Sequence, residues 1–349
     1  MQKLTMKAVV LEDINKPLSI VEIPIPKPGP NQVLVKLFAA PINPLDLAVL
    51  SGSFATQKTL PIYPGYEGAG LVVESGGGFM GWLLKGKRVA INSNESTNGT
   101  WSEYIVVDTA NCLELEDQVT FEEGCNCYVN PLTVVSMLDL CKMSNYKAVI
   151  NTAAASSLGR MMNRAFKING IKVINIVRRK DQEEILQKEG AEFIFNQNDE
   201  DFETKLKETS QKLNALCFFD AVCGDMTAKI LKNMPSGSTV YIYGSLENDK
   251  FLINPGDVIF KKKSIKGFSA VSWLKNKGLI GKAMLLYNLK SMLRNILKTE
   301  VQMKFPLEKV NEAIEHYKKN MSLGKIILTP IPEKLEKPQK EEEKKTELN

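Results

Sequence analysis

The stretch Thr152–Gly159, TAAASSLG, sets small residues between an apolar run and an amphipathic helix. Small side chains let backbone N–H groups come close to a ligand, and a helix N-terminus that follows them favours an anion. The preceding Ala148-Val149-Ile150 is long enough for a buried parallel strand and too short for a helix. Leu158, Met161, Met162, Ala165 and Phe166 fall at i, i+3, i+4, i+7 and i+8, which is one helical face. Gly170 ends that helix, and Ile171 to Val177 reads as a second strand that runs into Arg178, Arg179 and Lys180. The chemistry this suits is the binding of a dinucleotide pyrophosphate at the turn. Only Gly159 survives of the three glycines such a turn normally carries, Ala153 and Ser156 standing in the other places, so a purely structural βαβ unit fits the turn equally well. Ala153 and Ser156 add side-chain atoms where backbone nears phosphate, and the hydroxyls of Ser156 and Ser157 can bond in return.

Around this unit the chain alternates strand and helix from Lys147 to about Gly267. Asp181–Glu189, Glu200–Gln211 and Met226–Met234 read as helices, and EFIF, ALCFFDAV and STVYIYG as strands. That order requires a parallel sheet with helices on both faces. Residues 6–125 instead carry short β-branched segments broken by Pro and Gly, which describes a compact β domain. A longer, partly apolar helical segment runs from Glu122 to Met137. Residues 266–330 give a strand, two helices and a last strand, and residues 331–349 form a charged tail of the disordered type.

At 349 residues, 44% hydrophobic and 24% charged, the chain has the composition of a soluble two-domain protein. A net charge of +5 without a basic stripe interleaved with aromatics argues against a nucleic-acid partner. No apolar run approaches the roughly 18 residues of a membrane span. The N-terminus MQKLTMKAVV enters a strand at once and shows no leader, so the cytoplasm is the expected location. Six scattered cysteines read as reduced and mostly buried. The one histidine, His316, sits late in an amphipathic helix and reads as an ordinary helix-end residue, which leaves any chemistry to a cofactor or to Tyr, Lys, Ser and carboxylates.

Several strings in sequence order, PINPLDL (Pro41–Leu47), GYEGAGLV (Gly65–Val72), GKRVA, GTWSEY, NPLTVVSML (Asn130–Leu138) and the C-terminal FPLEKVNEAIEHYKKNMSLGKIIL, resemble the medium-chain dehydrogenase/reductase superfamily. More narrowly, the chain is similar to its zinc-free quinone oxidoreductase and 2-enoyl thioester reductase branch, over about residues 6–330. The resemblance implies an α/β fold: a GroES-like β-rich N-terminal domain (1–125), a Rossmann doubly wound domain (126–267) and a C-terminal return onto the first domain (268–330), before the tail at 331–349. It implies cofactor contacts from Asn130 and Thr133, from Ala153, Ser156, Ser157, Leu158 and Gly159, from Tyr243 and Gly244, and from Lys325. It also implies a homodimer, acting on a small-molecule substrate.

Zinc-dependent members carry a Cys in the segment aligned with Ala39–Asn43 and a His before the signature Glu67. Here the first segment has no Cys and Tyr66 takes the second place, so tetrahedral zinc ligation is not expected. Glu67 itself suits a structural role bonding loop backbone. Enoyl thioester reductases of the branch use a Tyr donor where this chain has Phe54, leaving Tyr66, Asn43 and Tyr63 as candidate donors to a developing oxyanion in the same cleft. No acid precedes Asp181 at the end of the second strand, while Arg178, Arg179 and Lys180 can clamp a 2′-phosphate, so NADPH is favoured over NADH. The expected activity is reduction of a quinone or α,β-unsaturated carbonyl. The competing expectation, motivated by the altered turn, the lost Tyr donor and the charged tail, is a structural or interaction subunit of a larger assembly.

Overall fold

A computed structural model describes residues 4–14, 16–52, 59–93, 98–247, 250–293 and 295–331. Phe54 and all of the charged tail beyond Ile331 lie outside the described residues. The six-stranded sheet is parallel throughout, in the order Phe193–Asn196, Lys172–Val177, Ala148–Asn151, Cys217–Asp220, Thr239–Ile242, Ser264–Gly267. Counted from Ala148 this is the order 3-2-1-4-5-6, which reverses direction between Ala148–Asn151 and Cys217–Asp220. Strand alternation splits the sheet's side chains between two cores. Val149, Cys217, Phe219 and Tyr241 pack against the helices Val129–Met143 and Ser157–Ile168. Ala148, Ile150, Phe218 and Val240 pack on the other face with Leu206, Ile230 and Leu231. Burial on both faces is why these strands read as unbroken apolar runs.

The β domain is a seven-stranded sheet with a further strand, Tyr104–Asp108, paired to its longest member, Gln32–Pro41. Glu67–Ser75 lies antiparallel on Gln32–Pro41 with Val35 opposite Val72. Gly70 sits there because a Cβ would lie 2.0 Å from the Lys36 carbonyl oxygen. The chain re-enters this sheet at its end: Val301–Pro306 pairs with Lys325–Thr329, which pairs antiparallel with Gln32–Pro41. Residues 301–329 therefore belong to the β domain, whereas the helices Ala270–Lys275 and Leu279–Leu293 pack on Val129–Met143 of the other domain.

One expected element divides. The helical segment expected from Glu122 to Met137 is two helices, Phe121–Gly124 and Val129–Met143, with the break at residues 125–128. All six cysteines are free thiols, and Cys125, Cys127, Cys141, Cys217 and Cys223 are buried.

Candidate active site

The parallel-sheet site forms at the reversal point. Ser157–Ile168 starts with Ser156 as N-cap, whose hydroxyl oxygen accepts from the Gly159 N–H at 3.2 Å. The Ser157 and Leu158 N–H groups have no partner among the described residues and remain for an anion. Gly159 is required by contact, since a Cβ there would lie 2.2 Å from the Ala154 carbonyl oxygen. Ala153 holds φ +49°, a left-handed conformation that glycine would take more easily. The turn thus keeps the shape of a glycine-rich one with an alanine under mild strain.

Neighbouring strand ends are tied to this turn. Fully buried Asp220 accepts from the Thr152 hydroxyl at 2.7 Å and the Val222 N–H at 2.9 Å, and Thr152 accepts in turn from the Ala221 N–H. The Tyr243 N–H donates to the Asp220 carbonyl, and the Cys223 thiol donates to the Gly244 carbonyl at 3.2 Å. Tyr243 and Gly244 therefore stand at the end of the strand beside Asp220. Asn151, fully buried at the end of its strand, has neither its amide oxygen nor its amide nitrogen partnered. Two free N–H groups and an unsatisfied amide along one strand–turn–helix unit fit a polar dinucleotide.

The basic run is not uniform. Arg179 forms a two-pronged pair with Asp181, both contacts at 3.0 Å, and reaches the Ser322 hydroxyl. Arg178 and Lys180 are exposed, with no side-chain partner among the described residues. The helix they precede, Lys180–Lys188, carries Asp181 and Glu183 in its first turn, so its dipole is already offset without a bound anion.

A second constellation joins the two domains. Asn43, Asp46, Glu67 and Lys325 are each no more than 2% exposed. Glu67 accepts from Asn43 Nδ2 at 2.9 Å with one oxygen, and from the Tyr128 and Val129 N–H groups at 3.1 and 2.9 Å with the other. It is thereby a carboxylate cap on Val129–Met143, the helix that carries half-buried Asn130 and Thr133. This is the structural role expected of Glu67, and it explains where the long helical segment breaks. The Lys325 ammonium donates to Asn43 Oδ1 and lies 3.5 Å from the Ile42 carbonyl. Asp46 accepts from the Asn43 N–H at 2.7 Å through one oxygen, while its other oxygen is unpartnered.

Burial raises the carboxyls of both Glu67 and Asp46 and lowers the Lys325 ammonium, with the opposite charges partly restoring each. Asp46 is pushed up to about 7. Both ends of the Asn43 amide are engaged and Lys325 is enclosed within the β domain. Asn43 and Lys325 thus lie together in this buried cluster. Tyr66, next to Glu67, is half-buried against the β-domain core, and Tyr63 is half-buried. Thr133 donates its hydroxyl back to the Val129 carbonyl at 2.7 Å.

Sequence reasoning did not single out Asp46, Asn151 or Asp220. Each has a signal of the same kind, a lone polar residue closing or following an apolar run: NPLD, AVIN and CFFD.

Residues 29–117 match the family model described as the alcohol dehydrogenase GroES-like domain, and residues 157–282 the one described as zinc-binding dehydrogenase. A candidate NADPH:quinone reductase of known structure from Mesorhizobium loti is 31% identical, with a TM-score of 0.87 over 95% of this chain and 100% of its own. The mitochondrial enoyl-[acyl-carrier-protein] reductase of Arabidopsis thaliana is 27% identical over 77% of this chain and 73% of its own. The quinone oxidoreductase of Pongo abelii is 26% identical over 94% and 98%. The chain belongs to the medium-chain dehydrogenase/reductase superfamily of oxidoreductases, and its two domains are the GroES-like and Rossmann-type domains of that superfamily.

One of those models bears zinc in its name; in this chain Tyr66 precedes the signature Glu67 and residues 39–43 hold no Cys. Among the described residues no group of three His, Cys, Asp or Glu side chains is placed to hold a metal ion. In the Asn43–Glu67 cluster the positive charge is the Lys325 ammonium.

Proposed function

We propose that the chain is an NADPH-dependent reductase of a quinone or an α,β-unsaturated carbonyl compound, working without zinc. The observation that carries this reading is the turn at the sheet's reversal point, with the Ser157 and Leu158 N–H groups free and the Asn151 amide unsatisfied. The same observation favours it over a purely structural subunit, in which a buried unpaired amide would be a cost without return.

Bound there, the nicotinamide would supply a hydride. The chain's own part is positioning. Ser157 and Leu158 hold the pyrophosphate, Thr152, Asp220, Tyr243 and Gly244 fix the neighbouring strand ends, and Asn130 and Thr133 lie along the helix set by Glu67. Tyr66 is the phenol in this reading that donates to the oxyanion developing on the substrate, with Asn43 holding the adjacent Glu67 side chain and Lys325 holding Asn43. Arg178 and Lys180 give the preference for a 2′-phosphate, with Arg179 held by Asp181. The chain would act as a homodimer in this reading, and the strand Ser264–Gly267 at the sheet edge, near exposed Val258, Ile259 and Phe260, is the surface proposed for it.

Calorimetric titration with NADPH and NADH tests the reading. Tighter binding of NADPH is expected, and a double variant Arg178→Ala/Lys180→Ala should weaken NADPH by tenfold or more while leaving NADH unchanged. Absence of binding for either nucleotide into the millimolar range would refute the enzyme reading, and equal loss for both would refute the role given to Arg178 and Lys180.

A further inference from the structure

The helix Leu279–Leu293, LIGKAMLLYNLKSML, is apolar on two opposite sides. Leu285 and Leu289 face inward, each 2% exposed, and pack with the core around Val129–Met143. Leu279, Ile280, Met284 and Tyr287 face outward at 86, 79, 62 and 74% exposure, with Leu286 beside them. A helix that is apolar all round is normally enclosed. Taking roughly 150–250 Å² for each large side chain, the outward face offers on the order of 600 Å² of apolar surface, at the upper limit for a patch that is merely tolerated.

The segment that carries it is basic in sequence. From Val258 to Thr299 the sequence holds ten Lys or Arg (261, 262, 263, 266, 275, 277, 282, 290, 294 and 298) and no Asp or Glu. Lys275, Lys282 and Lys290 make no ion pair among the described residues. Of the acids that neighbouring elements bring here, Asp139 is engaged by Lys277 and the Trp273 indole, Glu123 by Lys298 at 3.2 Å and Glu114 by Lys87 at 2.9 Å, while Glu116 and Asp117 line a pocket beside Lys290 at the helix's far end. A second copy meeting this face through a two-fold axis would bring two copies of this lysine-rich segment together. The occupant must bring negative charge and accept a spread of large aliphatic side chains and a tyrosine instead of one anchor.

We propose that the outward face of Leu279–Leu293 docks on the anionic surface of a lipid bilayer, the helix lying in the plane of the interface. Its 15 residues are too few to cross the hydrocarbon, and no helix among the described residues is long and apolar enough to do so. An interfacial helix instead buries one apolar flank while its lysines extend to the headgroups. Tyr287 supplies an amphipathic ring of the kind enriched at that depth.

Co-sedimentation of the full chain with vesicles of phosphatidylcholine containing about one third phosphatidylserine tests this. Binding should exceed that to pure phosphatidylcholine by tenfold or more and fall steeply as salt is raised. Ile280→Ser/Met284→Ser/Tyr287→Ser should lower partitioning at least tenfold with an unchanged circular dichroism spectrum. Lys282→Gln/Lys290→Gln, which leaves the apolar face intact, should lower it by about tenfold and reduce its salt dependence. A wild-type chain that stays in the supernatant, or a triple serine variant that sediments like wild type, would overturn the proposal. So would a halving of the solution mass by the triple variant, which would make the face a contact between copies. Retention on immobilised polyaspartate without vesicle binding would assign the face to an acidic protein and likewise overturn it.

Discussion

At the scale of single residues, the buried cluster sets the strongest constraint. Asp46 is enclosed with one oxygen unpartnered, and burial lifts its carboxyl from 3.8 to about 7. In the unfolded chain it ionises near its ordinary value, so between about pH 4 and pH 7 the folded state binds the extra proton. Its contribution to stability is therefore full below about pH 4 and is lost as pH rises through about 7, by on the order of 4 kcal/mol. Asp46→Asn should remove that slope: urea unfolding from pH 4 to 8 should give a smaller fall in stability for the variant, and parallel curves would disprove the assignment. Little of this was legible beforehand. The strings PINPLDL and GYEGAG marked Asn43 and Tyr66 as candidates in one cleft and Glu67 as a residue bonding loop backbone, and the structure brings Asn43 and Glu67 into contact. That Lys325, 282 residues from Asn43, closes the same cluster depends on the last strand pairing with Gln32–Pro41, a long-range contact that no local pattern encodes.

At the scale of elements, Glu67 connects one domain's strand to the other domain's helix. Its carboxylate accepts the first N–H groups of Val129–Met143, a place where negative charge is favoured, and Lys325 compensates it. Glu67→Ala would leave those N–H groups buried without an acceptor and the buried Lys325 ammonium without the Glu67 charge, and should cost roughly 3–5 kcal/mol in denaturant unfolding. A loss below about 1 kcal/mol would show that the cluster contributes little. The parallel strands and their helices were readable because period and length agree there: each apolar run is short, fully covered and followed by an amphipathic stretch. The break between Gly124 and Val129 was not, since the segment is apolar on both sides of it and the cap lies in a distant strand. The helix Leu279–Leu293 defeats periodicity for a related reason, as its inward and outward faces are both apolar.

At the scale of the whole molecule, two surfaces remain open. One is the sheet edge at Ser264–Gly267, with unpaired backbone groups on one side and Val258, Ile259 and Phe260 exposed nearby. If copies join there, Phe260→Asp should shift the mass measured by light scattering from dimer toward monomer at micromolar concentration. A monomeric wild type would remove the basis for that surface. The other is the basic, apolar helix, whose charge argues against pairing with itself, so the two surfaces can be occupied at once by different partners.

The cysteines carry a consequence for the folded lifetime of the molecule. Five of the six thiols are enclosed, and burial pushes Cys112 and Cys127 up to about 12 and Cys125 and Cys217 well above the ordinary thiol value. Only the thiolate attacks an alkylating reagent, so in the native state burial shields Cys125, Cys127 and Cys217 both by access and by protonation. Cys125 and Cys127 lie at the junction between the domains and Cys141 and Cys217 within the parallel-sheet core. Modification by iodoacetamide thus follows opening of the chain, and mapping which cysteine is labelled first would time the loosening of the junction against that of the core.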